Sequence, residues 1–295
     1  MKKLFYLCLI LFGITGCNMT TTSPQTTPTA HSNNKSAVQN LQTLFTLSTQ
    51  DRTFEGKHYR LFIATPKQHK SAKILYLLDG NAHFPLALQM IDPTLPLPTI
   101  IAVGYPTTEA YAVAERTRDY TFATSGAEFQ QGGGAADFLR FFSDELQPHF
   151  ITQVSHNTAT PVKQIFFGHS FGGLFGLFSL FQQPQRFDEY VLASPSLWWG
   201  DGAVLQQKPT VFLTKPRSVT LTLSEYEQNP NADPQRDPTR RARILQRRKG
   251  LTVEQLNTIL QRDGINSRFI LIANANHGSS ATPALAIALQ KAQQK

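Results

Sequence analysis

Cysteine is nearly missing: the 295 residues hold two, Cys8 and Cys17. Past residue 17 there is no thiol, which excludes disulfides, thiol catalysis and cysteine-based metal sites from the rest of the chain. Long apolar runs are missing too. Leu4 to Phe12 has about the length of a signal-peptide core and is too short to span a bilayer. No internal repeat is visible. The glycine run Gly132-Gly133-Gly134 has no Lys-Ser/Thr after it, so it is no phosphate loop and reads as a hinge before a helix. Metal, nucleotide and phosphate sites therefore lack sequence support, and no cofactor is expected. Acidic residues are in deficit, 20 against 28 Lys and Arg, for a formal charge of +8.

The N-terminus carries its own signal. Lys2 and Lys3 precede the apolar stretch, which ends in Ile14-Thr15-Gly16-Cys17. This resembles a bacterial lipobox, in which small residues lead to a cysteine that is acylated and becomes the mature N-terminus. Residues 1–17 are thus expected to be a lipoprotein signal peptide with Cys17 as the lipidation site. Asn18, not an acidic residue, follows; by resemblance to Gram-negative lipoproteins this favours the outer membrane, with the protein facing the periplasm. Residues 18–38 are rich in Thr, Ser, Pro and Asn and read as a flexible tether. About 20 such residues reach roughly 25 Å.

Removing Lys2 and Lys3 lowers the charge to +6, and much of it is local. Arg236, Arg240, Arg241, Arg243, Arg247, Arg248 and Lys249 stand against Asp233 and Asp237 alone. Such a segment is either a solvated helix face or a patch that attracts anions. Nucleic acid is not an expected partner of an exported lipoprotein.

From residue 39 on, strand-length apolar runs alternate with helical patterns. Leu44–Ser48 and Tyr59–Ala64 read as an opening hairpin, and Lys73–Leu78 as a strand covered on both faces. Further strands are expected at Thr99–Val103, Gln164–Phe167, Tyr190–Leu192, Val219–Leu223 and Arg268–Ile272. Helices are expected at Ala135–Phe150, Gly172–Phe181, Thr252–Arg262 and Pro283–Gln293. With 41% hydrophobic and 11% aromatic residues the core is ample. The alternation argues for one α/β domain over 39–295, its mostly parallel sheet wrapped by helices and its strand C-termini along one edge.

Gly168-His169-Ser170-Phe171-Gly172 sits between the strand Ile165-Phe166-Phe167 and a helix. A tight strand-to-helix turn holds its central residue in a strained conformation, and glycines two before and two after avoid clashes. Ser170 is therefore read as a nucleophile. His277 follows the last strand, precedes Gly278 and the closing helix, and is the expected base. His169 is read as a packing or orienting residue, His149 and His156 as surface residues. The order Ser, acid, His calls for a carboxylate after Val219–Leu223, which favours Glu227. Glu225, Asp233 and Asp237 remain candidates. An oxyanion hole would combine the Phe171 N–H with one from Gly80 or Asn81, in the loop Asp79-Gly80-Asn81-Ala82-His83.

Five segments together resemble the esterase family that contains esterase D and the enterobactin and salmochelin esterases. They are Tyr76-Leu77-Leu78-Asp79-Gly80, Arg116-Thr117-Arg118-Asp119-Tyr120-Thr121, Gly168 to Gly173, Ala193-Ser194-Pro195-Ser196-Leu197-Trp198-Trp199, and His277-Gly278. The resemblance covers nearly all of 40–290 and implies the α/β-hydrolase fold. The arginine run and Ser-Pro-Ser-x-Trp point to the siderophore-esterase branch. The implied activity is hydrolysis of ester bonds in catecholate trilactone siderophores through an acyl-serine intermediate. In that branch an arginine of Arg-x-Arg-Asp lies near the substrate, which carries over to Arg118, unless Arg118 and Asp119 form a structural ion pair; Trp198 either walls the pocket or fills the core. An anionic small-molecule ester suits arginine, which supplies fixed-charge donors. Segment 236–249 is a departure, matching no family signature. Two other readings stand beside this one: a feruloyl- or acetyl-type carbohydrate esterase, and a lipoprotein that binds an iron chelate without turnover.

Overall fold

The computed structural model describes residues 41–156, 160–235, 237–247 and 250–294. The signal peptide, the tether and Cys17 lie outside the described residues, as do Arg236, Arg248 and Lys249 of the basic segment. An eight-stranded sheet in the order β1-β2-β4-β3-β5-β6-β7-β8 organises the rest. Strands β1 (Phe45–Phe54) and β2 (Lys57–Pro66) form the expected hairpin, and β2 alone runs against its neighbours. The strands β3 (Lys70–Leu77), β4 (Leu97–Gly104), β5 (Lys163–His169), β6 (Glu189–Ala193), β7 (Ser218–Ser224) and β8 (Ser267–Ile272) are parallel.

Successive residues of β3 feed two cores. Ile74, Tyr76 and Leu78 join one cluster, Leu75 and Leu77 the other, and all are inaccessible. This two-sided burial is why the second half of the strand, from Ile74 on, carries no charged residue. Helices α1 (Gly80–Met90) and α9 (Ala281–Gln293) cover one face with Ala87, Leu88, Ala284, Leu285, Ala288 and Leu289. The opposite face is aromatic: Phe138, Phe142, Phe166, Phe175 and Phe187 meet edge to face or tilted, with Phe138 and Phe175 centroids 4.9 Å apart. Such geometry favours aromatic pairs beyond their buried area. Covering that face are α2 (Val113–Tyr120), α3 (Ala135–Arg140), α4 (Gln147–Ser155) and α5 (Phe171–Gln182).

Two differences from the sequence reading have local causes. The helix expected over Ala135–Phe150 is α3 and α4 joined by a π-helical stretch, Phe141–Leu146. Pro148 has no N–H to give the turn before it, and the register widens there. The segment Asp79–His83, read as a loop, is the first turn of α1, entered through Asp79 at φ 52°, ψ 50°. The basic segment contains a regular helix, α7 (Pro238–Arg247), after the short α6 (Glu225–Gln228) and before α8 (Val253–Arg262).

Candidate active site

Strand β5 delivers Ser170 at φ 61°, ψ −117°, a backbone region costly for any residue with a Cβ. The turn holds because its neighbours fit nothing larger. A Cβ on Gly168 would lie 2.2 Å from the carbonyl oxygen of Gly172. Ser170 N–H donates to Ala193 O at 2.9 Å, while Ser170 O accepts from Ser196 N–H at 3.1 Å and from Leu174 N–H at 3.0 Å. Phe171 opens α5, so its N–H has no acceptor one turn back and is free to face developing charge.

The neighbouring strand makes a second opening of the same kind. Leu77 pairs with Phe167, and Leu78 N–H donates to Phe167 O at 3.2 Å, so Gly80 leaves β3 level with the serine turn. Gly80 must be glycine, since a Cβ there would lie 2.9 Å from the Ala102 carbonyl carbon. Asn81 spends its side chain on the chain after β4. It donates to Tyr105 O and Thr107 O and accepts from Tyr105 N–H. Only backbone N–H groups of Gly80 and Asn81 remain to serve an oxyanion.

His277 lies in the turn between β8 and α9. Its Nδ1–H donates to Glu227 Oε1 at 2.7 Å. Glu227 stands in α6, directly after β7, where Ser224 both accepts its backbone N–H and donates to its Oε2 at 2.7 Å. Burial pushes the Glu227 carboxyl up, but the hydrogen bond and charge of His277 outweigh this and hold it down at about 2. An ionised carboxylate on Nδ1–H fixes the tautomer that leaves Nε2 with its lone pair.

The other carboxylates do different work. Glu225 Oε2 accepts from Asn274 N–H at 2.7 Å and so pins the turn that carries His277. Asp233 pairs with Arg240 at 3.4 Å, and Asp237 caps α7 through the N–H groups of Thr239 and Arg240. Among the described residues, Ser170 Oγ makes no hydrogen bond to His277; it pairs with Ser196 Oγ at 3.2 Å. Ser196 went unassigned in the sequence, although the Ser-Pro-Ser-x-Trp run signalled it. His149 and His156 are exposed. His169 is buried, and its Nε2–H donates to the backbone oxygen of His277 at 2.8 Å, an oxygen that Ser280 Oγ also bonds at 2.9 Å.

Arg116 and Arg118 divide, and Arg118 takes the ion-pair role weighed for it rather than the substrate role. Arg118 makes a two-toothed pair with Asp119, at 2.7 and 2.8 Å, and does not line the cavity beside His277. Arg116 makes the same pair with buried Asp79, at 2.8 and 3.0 Å. Its guanidinium lies 5.4 Å from the Phe171 ring centroid and contacts His169 O at 3.5 Å. The arginine under the serine turn is thus Arg116.

The cavity beside the His277–Glu227 pair measures about 380 Å³, a size that takes a small organic ligand. Ser196, Leu197, Trp198, Tyr226, Ile244 and Leu251 wall it, and Trp198 therefore faces the cavity.

Two buried histidines give stability a definite pH dependence. Burial pushes His169 well below its ordinary value, helped by the nearby His277 and His83 rings; burial also pushes His83 down, against the pull of Asp79 and the Leu78 carbonyl. Folding therefore disfavours the protonated form of each, while the unfolded chain takes up the proton freely. Their contribution is whole above about pH 6.5 and shrinks as pH falls, by up to about 1.4 kcal/mol per pH unit for each. Denaturant titrations at pH 7 and pH 5 should show a clear loss at pH 5, before most carboxylates titrate. Equal stability at the two would contradict the downward shifts.

Comparison with known proteins agrees with this geometry. The model of the Esterase family, described as "Putative esterase", matches residues 53–249. The ferri-bacillibactin esterase of Bacillus subtilis is 32% identical over 200 residues, 59% of this chain and 68% of that protein. A siderophore enterobactin esterase of Emericella nidulans is 34% identical over 154 residues, 47% of this chain; the match spans half of that protein's length, 50%. The siderophore hydrolase EstA from Aspergillus nidulans superposes with a TM-score of 0.72 at 27% identity, over 83% of this chain and 93% of that one. With a strained serine between two helix openings and a histidine held by a carboxylate, the chain belongs to this esterase family, a family of hydrolases acting on ester bonds.

Proposed function

We propose that the protein is a serine esterase that cleaves the ester bonds of a catecholate siderophore of the trilactone type. The observation that carries the chemistry is the Glu227–His277 hydrogen bond of 2.7 Å beside a serine at φ 61°. His277 Nε2 takes the Ser170 proton as Oγ attacks the ester carbonyl carbon. The tetrahedral oxyanion is met by N–H groups of Phe171 and of Gly80 or Asn81, worth about 3–4 kcal/mol per donor in comparable sites. Collapse breaks the C–O ester bond, and the His277 proton goes to the departing alkoxide. Water, activated by the same imidazole, then releases the acid and restores Ser170. For this step Ser170 Oγ must turn from Ser196 toward His277, as catalytic hydrogen bonds often tighten only with substrate present.

The substrate class is supported by the names of the relatives and by the arginines and Trp198 around the cavity. Incubation with an iron-free or ferric catecholate trilactone should yield linear trimer, then dimer and monomer. An active preparation that cleaves acetyl or feruloyl sugar esters and leaves the trilactone intact would sink the substrate reading. The run Ile14-Thr15-Gly16-Cys17 supports a lipid anchor at Cys17 and a site facing the periplasm. Labelled palmitate should enter the wild type and not Cys17→Ser; equal labelling would remove that proposal.

A further inference from the structure

Helix α7 places Arg243 and Arg247 one turn apart, on one face. Both line the cavity beside His277, and both also line a second cavity of about 660 Å³. Trp198 is the only other residue shared by the two. The second cavity is walled further by Glu128, Phe129, Asp201, Gly202, Gln246 and Gly250. The boundary between them is a stack: the Arg247 guanidinium lies 3.9 Å from the Trp198 ring centroid, and Trp198 lies 5.7 Å from Phe171, the residue after the nucleophile. Two aromatic rings, tilted 44° to each other, thus lead from the residue after the nucleophile to a cation.

The charges along this line are unevenly committed. In the first cavity Arg240 is paired with Asp233, Glu227 with His277, and Glu254 with the Gln228 amide. Arg243 and Arg247 make no ion pair among the described residues, although Glu227 acts on Arg247, and Asp237 on Arg243, through space. Glu128 and Asp201 face the second cavity and oppose a free anion there. The two guanidinium groups outside any ion pair therefore sit at the boundary, next to the tryptophan. An aromatic ring bearing negative charge matches it: its face stacks on Trp198 and its anionic oxygens meet guanidinium forks.

We infer that Arg243, Arg247 and Trp198 form a selectivity clamp for an anionic aromatic arm of the ester substrate, held at the boundary of the two cavities. This deepens the siderophore reading and rests on it for the natural substrate. The clamp is testable without it.

The test uses the full-length protein and two 4-nitrophenyl esters of one shape, the anionic 4-carboxybenzoate and the neutral benzoate. The readout is the ratio of their kcat/KM values. Arg243→Gln and Arg247→Gln should each lower the ratio about 5–10-fold, the double variant about 30-fold, and mainly through KM. Arg247→Lys should recover part of the loss, since the charge returns without the planar stack. Raising salt should lower the wild-type ratio and leave the double variant's nearly flat. An unchanged ratio, or an equal fall for both esters, would overturn the clamp. Failure of the siderophore reading looks different: the trilactone stays intact while the ratio still responds to the arginines.

Discussion

Ser170→Ala is expected to lower kcat/KM for 4-nitrophenyl acetate by at least about 10⁴-fold while leaving the fold unchanged. The Oγ is solvent-side of a turn held by backbone bonds to Ala193, Ser196 and Leu174, and alanine keeps all of them. His277→Ala should cost about as much, and the double variant little more, because base and nucleophile act as one unit. Glu227→Gln should cost less, about 10²–10⁴-fold. The amide keeps the shape but cannot hold the Nδ1–H tautomer or stabilise the imidazolium. Ser196 is the rival nucleophile, since it lines the His277 cavity and pairs with Ser170 Oγ. It lacks the strained turn and the helix opening, so Ser196→Ala should retain activity within about tenfold. Steady-state kinetics with circular dichroism checks each variant. A Ser170→Ala protein that is folded and active, or a Ser196→Ala protein as dead as Ser170→Ala is expected to be, would reassign the nucleophile.

The parts of this site legible in the sequence were those fixed by local backbone chemistry. A strand, two spaced glycines and a helix announce a serine turn, because no other residues tolerate that path. Chain order and strand ends point to His277 but leave Glu227 beside Glu225, Asp233 and Asp237, and it is the 2.7 Å bond to His277 Nδ1 that separates Glu227 from them. What could not be read locally was pairing across elements. Arg116 and Arg118 are two residues apart on α2, so about 200° of helical turn separates them, and each finds the carboxylate on its own side. The motif names both and cannot say which faces the nucleophile. The basic segment shows the same limit: its charge was visible, but the position of Arg240, Arg243 and Arg247 at the cavity depends on the path between β7 and α8.

Arg116→Met is expected to destabilise the protein by about 3–5 kcal/mol and to lower kcat at the same time. The side chain is 11% exposed and its partner Asp79 is 1% exposed, so the substitution leaves a buried carboxylate without its charge partner. Asp79 is also held at φ 52°, where a non-glycine backbone persists only if its surroundings impose it. The two Arg116 bonds and the donation of Asp79 N–H to Tyr120 Oη at 3.2 Å impose it here. Asp79 immediately precedes Gly80 and Asn81, so its relaxation would swing their N–H groups away from the oxyanion. The guanidinium also packs over the rings of Tyr111, Tyr120 and Phe171, at 5.7, 5.6 and 5.4 Å. Arg116→Lys should not restore the activity, since an ammonium cannot make both bonds and stack. The cycle with Asp79→Asn separates the causes. Asp79→Asn with Arg116→Met removes both charges, so the double variant should be more stable than the sum of the single losses predicts. Its kcat should stay low, because the turn is still unclamped. Urea denaturation and single-turnover kinetics measure the two separately. A loss below about 1 kcal/mol in Arg116→Met, or full kcat in the double variant, would show that the pair does not position the oxyanion donors.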